Sequence, residues 1–147
     1  MRYFLCSAVL AMGFSTALAE EHKMDDRKAI ETLIFENYFD GVGSADEPLL
    51  RAAFAVDAAV MVGLRRTKPD GGHTLQSYKD MNEVISGWVS NANPEGTGRD
   101  GEILEIAIVD NQIATAIFRY KDDYYDAFSF LKIDGEWKIA TKTFYQR

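Results

Sequence analysis

Residues 102–145 read as β-strand after β-strand, and no other part of the chain constrains its fold as tightly. The segments 102–109, 113–120, 124–133 and 136–145 are rich in Ile, Val, Phe, Tyr and Thr, which suit a pleated, half-buried surface. Asp110-Asn111 leaves room only for a short link. Asp134-Gly135 is a two-residue hairpin turn, because glycine tolerates the positive φ required there. Strands joined this closely form an antiparallel meander.

The first half of the chain changes period. Ile30, Leu33, Ile34 and Tyr38 form a stripe at helical spacing, with Asp25 or Asp26 available as a cap and Gly41 and Gly43 as the stop. Asp46 caps a short second helix with Pro48 in its first turn and Leu49, Leu50, Ala53 and Phe54 as its buried side. Asp57-Ala58 leads into a strand over 59–64. The polar, Gly-rich stretch 65–76, which includes Arg65 and Arg66, reads as a loop. Ser77 to Asp80 resembles a capping box, and Met81, Val84, Ile85, Trp88 and Val89 follow at helical spacing. Residues 91–101 read as a second loop. Helices first and a meander last define an α+β fold, with helices on one face of an antiparallel sheet.

Both faces of that sheet are apolar. In 113–120 one parity carries Ile113, Thr115 and Ile117, and the other carries Ala114, Ala116, Phe118 and Tyr120. A solvated face would alternate with polar residues. One face covers the helices; the other calls for a second cover, most simply another copy of the chain. A homodimer through the sheet face is therefore expected.

Residues 1–19 are set apart. Met1-Arg2 is a positive start, Tyr3 to Phe14 is an apolar core too short to span a bilayer, and Ala17-Leu18-Ala19 is a small-x-small cleavage site. The expected mature domain is 20–147, placed in the periplasm or outside the cell. Cys6, the chain's one cysteine, leaves with the leader, so the mature domain has neither a disulfide nor a thiolate ligand. The balance becomes 15 basic against 23 acidic residues, which disfavours nucleic acid and anionic membranes as partners. No later segment has transmembrane length. Intact-mass spectrometry of the exported protein should find Glu20 at its N-terminus; a chain that still begins at Met1 would refute the cleavage.

The order of elements, together with Phe54-x-x-Asp57-Ala58, resembles the nuclear transport factor 2-like superfamily. The run from Tyr125 to Ile139, with Lys142 and Phe144, is similar to its branch named putative lumazine-binding proteins. The resemblance implies a cystatin-like, cone-shaped curved antiparallel sheet wrapped around N-terminal helices. That superfamily holds isomerases, cyclases and dehydratases beside non-catalytic binders, so fold alone does not choose a function. Two readings follow: an exported small-molecule-binding or accessory domain, or a small lyase, cyclase or isomerase acting on a hydrophobic carbonyl compound in the cone.

Counting along the resemblance places Tyr38 at the tyrosine of an isomerase-type oxyanion site, Val62 at the base position and Ser129 at the second oxyanion donor. Val62 cannot accept a proton, which favours the binding reading. Asp126 turned inward would restore a carboxylate; otherwise it belongs with Asp122-Asp123 to a solvated turn. His73 is a candidate acid or base on a loop over the cone mouth, or a plain surface residue. By the same resemblance Arg119 and Lys142 point into the cone and would meet a small anionic molecule. The alternative is that they reach water or pair with Asp126. Aromatic residues, among them Trp88 and Phe144, would stack on a planar heterocycle or simply build the core. With only His22 and His73 in the mature chain, no metal and no cofactor is expected.

Overall fold

The computed structural model describes residues 23–67, 69–90 and 100–147. The leader, its cleavage site and residues 91–99 of the second loop lie outside them.

Helix α1 occupies residues 23–44 of the described chain. Residues 23–32 are α-helical, Leu33–Phe39 open into a π-helix and Asp40–Ser44 return to α. The wide turn is marked by the Asp40 amide bonding the Phe35 carbonyl five residues back. Two expectations about this helix are corrected. Asp26 lies within the helix, which already runs at residue 23, and is buried; its Oδ1 accepts from Lys132 Nζ at 2.5 Å and Trp137 Nε1 at 2.9 Å. Gly41 and Gly43 do not stop the helix either. It runs to Ser44 and ends on Ala45 in the left-handed region. Gly41 instead allows close packing, since a Cβ there would sit 3.1 Å from Leu50 Cγ. Helix α2, Glu47–Ala53, starts as expected, with Asp46 Oδ1 accepting from the Leu49 amide at 3.0 Å.

Strands β1, Val60–Arg66, and β2, His73–Tyr78, form an antiparallel pair. Strand β2 therefore replaces most of the expected loop over 65–76. Ser77 and Tyr78 belong to that strand, so helix α3, Met81–Ser90, is capped by Asp80, which accepts from the Asn82 amide at 2.9 Å. Four strands complete the sheet: β3 Gly101–Val109, β4 Ile113–Tyr120, β5 Tyr124–Ile133 and β6 Glu136–Gln146. The tight links between them take positive φ at Asp110 and Asn111 and again at Asp134 and Gly135.

The sheet runs β2-β1-β6-β5-β4-β3 and stays unclosed. It is not wholly antiparallel. Strand β1 lies parallel to β6, from Val60↔Thr141 to Leu64↔Tyr145. One face wraps the helices, and Ile30, Ile34, Leu50, Ile85, Phe130 and Ile139 are fully buried between them. On the opposite face Leu75, Val109 and Ile113 are 68%, 58% and 51% exposed. No helix among the described residues is long and apolar enough to cross a membrane.

Candidate functional site

Strand alternation decides which side chains enter the cone. Met61, Gly63 and Arg65 face inward from β1, Phe118 and Tyr120 from β4, Asp126, Phe128 and Phe130 from β5, and Lys142 and Phe144 from β6. Gly63 has a steric role. A Cβ there would fall 2.4 Å from the Phe144 ring and its carbonyl oxygen, so only glycine lets Phe144 lie against β1. Helices α1 and α3 close over these strands with Tyr38 and Trp88. The result is a cavity of 220 Å³.

Its floor is polar. Asp126 stands opposite Phe144 in the β5–β6 register and Lys142 opposite Phe128, so the two are diagonal neighbours. Lys142 Nζ lies 2.8 Å from Asp126 Oδ1. Tyr38 Oη donates to Asp126 Oδ2 at 2.8 Å. Asp126 is 5% exposed and Lys142 7%. The ammonium contact is an ion pair without the alignment of a good hydrogen bond, so Oδ1 retains capacity to accept. Nζ also stands 5.4 Å from the Tyr38 ring centroid and 5.1 Å from that of Phe144. Tyr38 is held edge-on by Phe54, Trp88 and Phe128 at 6.0, 5.9 and 5.2 Å, which fixes its hydroxyl.

The outer end is aromatic and cationic. Tyr120 and Tyr124 stack with centroids 6.5 Å apart, and the Arg65 guanidinium lies 5.8 Å from the Phe144 centroid. Burial pushes the Tyr124 phenol above its ordinary pKa, against an opposing pull from Arg65.

Tyr38, Trp88, Asp126, Lys142 and Phe144 therefore meet around one cavity. Arg119, Ser129 and His73 do not. Phe118 and Tyr120 point inward, so Arg119 between them points out, where it bonds Glu102 and lies 3.5 Å from Asp122. Ser129, between inward Phe128 and Phe130, faces outward opposite Thr115 and Thr141. Val62 faces outward for the same reason. Counting along the family pattern places Tyr38 and Lys142 at the cavity but Arg119, Ser129 and Val62 on the wrong face. His73 begins edge strand β2 rather than lying in a loop, and it does not line the cavity: its Nε2 donates to the Gln146 carbonyl at 2.7 Å and its ring lies 5.2 Å from Tyr145. Tyr120 and Tyr124 belong to the aromatic set that the sequence offers for stacking, whereas Arg65, read as part of a loop, is not expected at the cavity. Extending the first strand by two residues would have put Arg65 on the side of Met61 and Gly63. Among the described residues no cluster of three His, Cys, Asp or Glu is arranged to hold a metal ion.

A curved six-stranded sheet around three helices, with a polar-floored pocket, is the nuclear transport factor 2-like architecture. The model of the family described as putative lumazine-binding matches residues 25–145, and the chain belongs to that family. A similar solved structure is an NTF-2-like protein of unknown function from Silicibacter pomeroyi, with 20% identity over 85% of this chain and 98% of that one, TM-score 0.68. Another, from Methylobacillus flagellatus, shares 24% identity over 84% and 93%, TM-score 0.66. A ketosteroid isomerase-like protein from Erwinia carotovora atroseptica shares 19% over 81% and 94%, TM-score 0.57. No curated protein matches.

Proposed function

We propose that this is an exported binding domain whose cone takes a small planar heterocycle with an N–H/C=O edge, of which lumazine is an example. The observation that carries the reading is the buried Tyr38–Asp126–Lys142 group at the floor of an aromatic cavity. Burying an ion pair is costly, and its usual net return in stability is small. Here the pair sets an acceptor, Asp126 Oδ1, beside a donor, Lys142 Nζ. A cyclic amide presents the complementary N–H and C=O. Lys142 is already neutralised by Asp126, so the floor suits a neutral polar edge rather than an anion. At 220 Å³ the cavity is below the about 300–1,000 Å³ of drug-sized sites, which limits the ligand to one or two rings. Trp88, Phe144 and Tyr120 supply flat apolar walls.

The test is calorimetric titration of the wild-type domain with lumazine and with 1,3-dimethyllumazine, whose ring nitrogens carry methyl groups in place of hydrogen. Lumazine is expected to bind at least about tenfold more tightly, because a site built to meet an N–H penalises its loss. Equal affinities, or no binding by either, would sink the reading.

A catalytic reading has one observation in its favour: Asp126 does turn inward. It would take a proton from carbon beside a carbonyl, with Lys142 and Tyr38 stabilising the enolate oxygen, and return the proton to a second carbon. Binding leads because Tyr38 Oη already donates to Asp126 Oδ2 and so is not free to hold an enolate oxygen, whereas Oδ1 and the Lys142 ammonium are enough to meet an N–H/C=O edge. We also propose that a second copy covers the outer sheet face.

A further inference from the structure

We infer that the bound heterocycle carries a carboxylate at the cone mouth, received by Arg65. This rests on the binding reading above. Arg27, Arg51 and Arg119 each pair with a carboxylate of this chain. Arg65 has none among the described residues, although acidic residues outnumber basic ones 23 to 16. It is also aimed. Its inward parity on β1 makes it a wall of the cavity, and the Phe144 ring beneath its guanidinium supports it there. That support exists because Gly63, two residues earlier on the same side, leaves room for the ring.

Arg65 and Lys142 flank the same ring, 5.8 and 5.1 Å from its centroid, so the two cations cannot lie further apart than those distances combined. A short planar molecule therefore reaches both. The two ends differ in charge. Lys142 is balanced by Asp126 at the floor, while Arg65 is unbalanced at the mouth. A ligand neutral at its inner edge and anionic at its outer edge matches that polarity. The planar fork of a guanidinium suits a carboxylate in particular. Because Arg65 is exposed, screening by salt keeps the effect moderate.

The experiment compares lumazine with lumazine-6-carboxylate on wild type, Arg65→Gln and Arg65→Lys, at low and at physiological salt. Wild type should prefer the carboxylate about tenfold at low salt, and less as salt rises. Arg65→Gln should lose the preference, binding the two ligands with equal affinity. Arg65→Lys should keep part of it. If wild type binds both ligands equally, or if Arg65→Gln keeps the full preference, the anion site is wrong and the cone reading stands. If wild type binds neither, both readings fall.

Discussion

Lys142→Ala is expected to cost the domain about 3–5 kcal/mol, because it strands the Asp126 carboxylate in a site that is 5% exposed. At roughly 4 °C per kcal/mol for a domain of this size, Tm should fall by about 12–20 °C. Tyr38 would remain as a single donor to Oδ2, which cannot replace a full opposite charge. A double replacement distinguishes this from loss of packing. In Lys142→Met with Asp126→Leu both charges go and the volume stays, so most of the lost stability should return. Thermal melts followed by circular dichroism would decide. A Lys142→Ala protein that melts within about 2 °C of wild type would show that the pair is solvated or loosely held. A double variant no more stable than Lys142→Ala would show that the lysine acts through its stem. The double variant should also lose lumazine binding, since the floor would have neither donor nor acceptor.

The C-terminal half was legible because strand alternation and turn chemistry are local. The four expected strands match β3 to β6 within a residue at each end, and the Asp-Asn and Asp-Gly links adopt the positive φ their composition suggests. Strand β2 was hidden. His73-Thr74-Leu75-Gln76-Ser77-Tyr78 is a largely polar edge strand, with no buried apolar row to betray it. The parallel contact of β1 with β6 was hidden too, since nothing local states which distant strand becomes a neighbour. Asp26 shows the same limit: its partners lie 106 and 111 residues away, so a carboxylate near a helix start looked like a cap. At the site the lesson differs. Asp126 shares the parity of Phe128 and Phe130, and Arg119 lies between two aromatics of the opposite parity. Alternation alone would have turned the first inward and the second outward. Counting along a distant family pattern turned Lys142 inward correctly but Arg119 and Ser129 wrongly, and on a strand an error of one residue exchanges the faces.

The outer sheet face leads to the other large effect. Its middle strands present Ile113 and Ile117 from β4, Leu131 and Ile133 from β5 and Tyr145 from β6, all more than a third exposed. Thr115, Ser129 and Thr143 lie between them, small and without charge. A hollow of 330 Å³ on this face is walled by Leu64, Leu75, Ile117, Tyr125 and Tyr145. Charges sit toward its margins, at Glu102, Arg119 and Lys138. An apolar centre with a charged rim is the anatomy of a stable interface. Covering such residues is worth about 1.5–3 kcal/mol for each large side chain fully buried. Size-exclusion chromatography with light scattering should therefore give twice the mass of the single chain at micromolar concentration. Ile117→Lys puts a charge into the wall of the hollow and leaves the inner face untouched. It should raise the dimer dissociation constant at least about a hundredfold, moving the protein to monomer while Tm measured at low concentration changes little. A wild-type monomer at 100 micromolar, or a Ile117→Lys protein that dimerises as wild type does, would mean that this face meets something other than a second copy of the chain.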